Sequence, residues 1–135
     1  MEICRRKFCI LAKAVELSMF LDVLDEYEDI IANYDILQFR MVGASYQFVA
    51  KVCLINQTEL HVKDYLFLDG TRKYSYHWQD AQGNCIVRWD NAPHHQGVTN
   101  FPFHKHLGEQ ETIAESPPMK LNAVLDNLRK VIKYH

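Results

Sequence analysis

Five of the chain's seven histidines, His77, His94, His95, His104 and His106, fall in one stretch rich in aromatic residues. Imidazole changes charge near neutral pH and is a common metal ligand, so this density points to proton transfer or metal binding. Arg88 and Asp90 lie in the same stretch, and two chemistries suit the collection. In metal-independent RNA cleavage, one imidazole takes the proton of a 2′-hydroxyl and another protonates the leaving 5′-oxygen. Arg88 would then meet the charge growing on phosphorus, and Asp90 would orient an imidazole. The alternative is a site for a divalent metal such as zinc, with ligands drawn from His94, His95, His104 and His106 and support from Asp90. No His-Glu-x-x-His or mixed His/Cys motif accompanies these residues, so the metal reading is generic.

Each piece also has a plainer reading. Arg88 and Asp90 can form an ordinary surface ion pair, worth little. His77 can be a solvated strand residue, and His94 and His95 can be exposed residues of a Pro- and Gly-containing loop. His104 and His106, at i and i+2, share one side of an extended segment, a weak signal alone. The concentration of all of them favours a shared site. Lys73, Ser75, Asn91 and Lys105 are the expected substrate-binding residues around it.

Composition bounds the class. The 135 residues suffice for one domain, 1–135, and 48% hydrophobic with 24% charged residues is ordinary for a globular protein. The net charge of −2 advertises no global affinity for nucleic acid, so any RNA contact must rest on a local patch. Cys4, Cys9, Cys53 and Cys85 form no CxxC pair and read as small hydrophobes in a reducing compartment. Arg5, Arg6 and Lys7 precede an apolar run, but Lys13 and Glu16 break it too early for a secretory leader, and Asp22 for a membrane span. A cytoplasmic protein of prokaryotic style is expected.

The elements that must position the histidines follow from periodicity. Ile10, Ala14, Leu17, Leu21 and Leu24 make a helical stripe over 8–28, widened by Ala12, Val15, Met19, Phe20 and Val23. So apolar a helix suggests burial on both sides or a homodimer. The acidic residues Asp25, Glu26, Glu28 and Asp29 oppose the helix dipole, so the helix should end near Tyr27. From Tyr34 to Asp90 the period is two. Strands are expected near 36–41, 45–55, 59–68, 72–79 and 84–90, with Leu37, Phe39 and Met41 on one side of the first and Leu60, Val62, Leu66 and Leu68 on one side of the third. Short turns between them argue for an antiparallel meander. Tyr74, Tyr76, Trp78 and Trp89 read as core. Residues 91–118 read as a long loop, with a short strand conceivable at 101–106. After Pro117-Pro118, Leu121, Val124, Leu125, Leu128, Val131 and Ile132 form the apolar face of a helix. The expected fold is α+β: an amino-terminal helix, a five-stranded antiparallel meander, a His-rich loop and a carboxy-terminal amphipathic helix.

Register decides which polar groups meet. Matching apolar residues sets Trp78 against Cys85, Tyr76 against Val87 and Tyr74 against Trp89. Ser75 then faces Arg88, Lys73 faces Asp90, and His77 lies diagonal to Arg88.

The stretch Tyr74-Ser75-Tyr76-His77-Trp78-Gln79-Asp80, the run Arg88-Trp89-Asp90-Asn91-Ala92-Pro93-His94-His95, and Phe101-Pro102 with His104-Lys105-His106 together resemble the TumE-like family of type II toxin–antitoxin systems. The matching residues cover about a quarter of the chain. Phe103 departs from the pattern, standing where another histidine is expected. The resemblance implies a growth-inhibiting protein neutralised by a cognate antitoxin, a partner that often carries a DNA-binding helix-turn-helix domain. It leaves the activity open. An RNA-cleaving or RNA-binding toxin is the leading expectation, against a non-enzymatic partner-binding regulator and a metal-dependent hydrolase of nucleotides or phosphates.

Overall fold

The computed structural model describes the backbone from Glu2 to Tyr134 and side chains from Ala14 to Tyr134. Side-chain expectations at Cys4, Cys9, Ile10 and Ala12 lie outside the described residues. The elements are α1 (Glu2–Glu26), β1 (Ile31–Val42), β2 (Ser45–Leu54), β3 (Glu59–Leu66), β4 (Arg72–Gln79), β5 (Cys85–Asp90), β6 (His104–Leu107), β7 (Thr112–Glu115) and α2 (Leu121–Tyr134). The strands form one antiparallel meander in chain order.

The sheet thus has seven strands, not five. β7 escaped the sequence reading and β6 overlaps the short strand conceived at 101–106, because each has four residues, and β6 turns histidines inward where apolar residues would signal a strand. The His-rich loop shrinks accordingly: His94 and His95 remain on it, while His104 and His106 sit on a strand paired with β5.

One sheet face carries the core. Phe48, Ala50, Val52, Leu60, Val62, Tyr74, Tyr76, Trp78 and Trp89 are buried together with Leu24 of α1 and Leu121, Val124, Leu125 and Leu128 of α2. Each such large side chain contributes about 1.5–3 kcal/mol by leaving water. Phe20 stacks on Phe48 with ring centroids 4.0 Å apart. Val15 and Met19 on α1, and Val131 on α2, stay exposed at the margins of the expected apolar faces. Cys53 and Cys85 are free, half-buried thiols.

Helix α1 ends at Glu26, beside its acidic cluster. Cations from α2 answer that cluster: Arg129 donates to the Glu26 carbonyl at 2.7 Å and to Asp29 at 2.8 Å, and Lys133 lies 2.7 Å from Asp29. The hydrogen bond from Arg129, then that from Lys133, lowers the Asp29 carboxyl to about 2.

Two local irregularities correct the expected faces. A register shift between Ile36 and Gln38 turns Leu37 outward, 62% exposed, so it does not share a side with Phe39 and Met41. On β3, buried Asp64 follows Leu60 and Val62 on the core side, whereas Leu68 lies beyond the strand end and is exposed.

The β4–β5 register also differs from expectation, by two residues. Tyr76 pairs with Trp89, His77 with Arg88 and Ser75 with Asp90. The turn explains half of the slip. Asp80 N–H bonds the Asn84 carbonyl at 2.9 Å, closing a three-residue loop where the apolar match assumed two. Gly83 supplies the left-handed φ of +87° this loop needs, and Asp80 Oδ1 accepts the Gln82 and Asn84 N–H groups, each at 2.9 Å. An irregularity between Trp78 and Gln79 adds the second residue. An even shift preserves the faces, so the core assignment survives while the polar pairs change.

Candidate functional site

The meander aligns a row of basic side chains on the face opposite the core. Lys51 pairs with His61, His61 with His77, His77 with Arg88, and Arg88 with His106, crossing β2 to β6. Beside it runs a second row, in which Lys63 pairs with Ser75, Ser75 with Asp90, and Asp90 with His104. Carboxylates answer the charged members of the first row: Glu59 lies 3.5 Å from Lys51 and 3.1 Å from His61, and Glu111 lies 2.7 Å from Arg88.

The face divides into an open part and a buried part. His61, Lys63, Ser75, His77, Gln79 and Arg88 line an open groove of about 340 Å³. The His61 and His77 rings stand edge to face with centroids 6.5 Å apart. Burial lowers the His77 imidazole from its ordinary 6.5, and the Arg88 and His61 charges lower it further against a weaker opposing pull from Glu111. At pH 7 His77 is therefore mostly neutral. Glu59 Oε2 lies 3.1 Å from His61 Nε2 and orients that ring. Arg88 is held by Glu111 at 2.7 Å and by Asp90 Oδ2 at 3.3 Å.

Next to the groove, Asp90, His104 and His106 are all but buried. Asp90 Oδ1 lies 2.8 Å from His104 Nε2, and Oδ2 lies 3.1 Å from His106 Nε2. The two Nε2 atoms are 3.1 Å apart. His104 Nδ1 faces the Pro102 carbonyl at 2.9 Å, and since a carbonyl only accepts, that nitrogen carries the hydrogen. The His95 ring packs over both, with centroids 4.9 Å from His104 and 5.5 Å from His106. Burial, then the Arg88 charge, lowers the His106 imidazole.

Of the remaining expected site residues, His94, Lys73, Asn91 and Lys105 fall elsewhere. His94 is exposed, and its backbone N–H bonds the Ala92 carbonyl at 2.9 Å, away from the cluster. Lys73 is exposed and pairs with Tyr65 rather than Asp90, because the register slipped. Ser75 lines the groove. Asn91 extends the β4–β5 pairing with its side chain: Oδ1 accepts from Tyr74 N–H at 3.0 Å and Nδ2 donates to the Arg72 carbonyl at 2.8 Å. Lys105, between His104 and His106 on a strand, faces the other side and lines a cleft with Asn100 and Ser116. The sequence reading missed His61. Aligning β3 with β4 across the Asp69-Gly70 turn would have set it opposite His77.

The fold is that of a small α+β protein whose meander leaves part of one face open, lined by two imidazoles, a guanidinium and a lysine. Residues 20–135 match the family model described as Toxin TumE, and the chain belongs to that family. Neither the curated proteins nor the solved structures gave a match. Membership implies an antitoxin partner. Among the described residues, no helix is long and apolar enough to cross a membrane.

Proposed function

We propose that this toxin cleaves RNA on the bare sheet face, with the groove between His61, His77 and Arg88 as the reacting site. The observation that carries the reading is the row Lys51–His61–His77–Arg88, which sets two cations and two imidazoles side by side where a polyanion could lie along them. Neutral His77 acts as the base and takes the proton of the 2′-hydroxyl. The 2′-oxygen then attacks phosphorus, the bond to the 5′-oxygen breaks, and His61 donates a proton to that leaving oxygen. The products are a 2′,3′-cyclic phosphate and a 5′-hydroxyl. With ring centroids 6.5 Å apart, both imidazoles come within hydrogen-bond reach of one phosphodiester. Arg88 stabilises the charge on the phosphoryl oxygens, and Lys63 and Ser75 hold the strand. Asp90 and the buried histidines position Arg88 from behind, through the 3.3 Å contact to Asp90 and the 3.2 Å contact between Arg88 Nη2 and His106 Nε2.

Product analysis tests this route. Purified protein should convert an RNA oligonucleotide to fragments ending in 2′,3′-cyclic phosphate, and a 2′-deoxy residue at the cleaved position should block that cut. Cleavage of the deoxy-substituted site at an unchanged rate would refute the role given to the 2′-hydroxyl.

A further inference from the structure

The buried cluster poses a problem of hydrogen bookkeeping that the acid–base site does not solve. An imidazole nitrogen carries either one hydrogen or one lone pair, so it serves one partner well. His106 Nε2 has three: His104 Nε2 at 3.1 Å, Asp90 Oδ2 at 3.1 Å and Arg88 Nη2 at 3.2 Å. His104 already gives its Nδ1 hydrogen to Pro102, so in the neutral ring Nε2 presents a lone pair to the Asp90 carboxylate 2.8 Å away. Lone pairs converging in a buried pocket repel unless a proton or a metal ion stands among them.

We infer that His95, His104 and His106, with Asp90, form a binding site for one divalent transition-metal ion of the zinc class. One donor atom from each of the three histidines lies within 4.8 Å of the others. Around a tetrahedral ion with bonds of roughly 2.0–2.1 Å, neighbouring donors stand roughly 3.3 Å apart. The separations of 2.8 to 3.1 Å among Asp90, His104 and His106 are already close to that spacing. The supporting contacts are those of a metal site. The Pro102 carbonyl fixes the His104 ring with Nε2 inward, and Ala92 N–H at 3.0 Å and Arg88 Nε at 3.3 Å fix Asp90. Three imidazoles and one carboxylate select a borderline transition metal over magnesium or calcium, which prefer oxygen. His104 and His106 come from β6, Asp90 from β5 and His95 from the intervening loop, so the ion clamps that loop onto the sheet. His94, one residue away and exposed, takes no part.

The test reads the ion itself. The full chain, stripped with chelator and titrated with Zn²⁺, should bind about one equivalent, and Co²⁺ should give the intense visible bands of a four-coordinate site. Mg²⁺ should not compete. His104→Ala and the milder His95→Ala, on the exposed side of the cluster, should each weaken Zn²⁺ binding by about 100-fold or more, while His94→Ala and His77→Ala bind as wild type. Absence of stoichiometric Zn²⁺ binding by the folded wild-type chain would overturn the inference. Undiminished binding by folded His95→Ala would overturn the ligand set even if His104→Ala fails to fold. Metal content is measured on resting protein, so failure here leaves the RNA-cleavage reading standing, and an inactive protein that binds zinc leaves the metal site standing.

Discussion

His77 on β4 stands directly across the ladder from Arg88 on β5. That pairing puts a base and a phosphate-binding cation on one rung, and it depends on a three-residue turn and a bulge that each add one residue to the hairpin. It also shapes the base. Arg88 is the strongest of the charges on His77, after burial, in holding the imidazole neutral.

The pH profile of cleavage should carry that signature. The groups acting on His77 are Arg88 and His61, which favour its neutral form, and Glu111, which favours the charged one. Because the folded pKa lies below 6.5, kcat/KM should rise on the acid side through a pKa under 6.5 and be flat there by neutral pH. Arg88→Met removes the charge, so the acid limb should move to higher pH. A limb that stays put in this variant would remove His77 from the role of base.

Asn91 should behave as a structural residue. Its amide supplies both a donor and an acceptor to the β4 backbone, so Asn91→Ala leaves Tyr74 N–H and the Arg72 carbonyl without those partners. Urea denaturation should show a loss of about 1–3 kcal/mol, with KM for RNA unchanged. A raised KM at unaltered stability would instead make Asn91 a substrate ligand.

Beneath the opposite face, Asp64 is buried with Arg72 at 2.9 Å, the Tyr76 hydroxyl at 2.6 Å and the Tyr46 hydroxyl at 3.2 Å. Arg72 also donates to the Met119 carbonyl at 3.1 Å, tying β4 to the start of α2. Arg72→Ala strands the carboxylate, and denaturation should show about 3 kcal/mol lost. The double variant Asp64→Leu/Arg72→Met should recover most of it. A single variant as stable as wild type would show that the pair does not hold these elements together.

How much of this was legible in the sequence depended on what each position buries. Both helices and β1 to β5 announced themselves, since Leu60, Val62, Tyr76 and Trp78 alternate cleanly against polar neighbours. β6 showed only as a short strand conceived at 101–106, because its buried positions are His104 and His106, residues that look like loop composition until Asp90 is seen to partner them. The faces of the last hairpin were readable from alternation, but the pairing was not. Turn length and bulges leave no periodic trace, so Ser75 gained Asp90 in place of Arg88, and Arg88 moved from diagonal to directly opposite His77. His61 was overlooked because it lies outside the histidine-dense stretch, and only the β3–β4 ladder brings it to His77.

Whether His77 and His61 act as base and acid is decided by single-turnover cleavage of an RNA oligonucleotide by His77→Ala and His61→Ala, beside wild type and His94→Ala. Both groove variants should retain the native circular dichroism spectrum and lose at least about 100-fold in rate, while His94→Ala cleaves like wild type. Rates within about 3-fold of wild type for both groove variants would contradict the account, since general acid–base groups are worth far more than that.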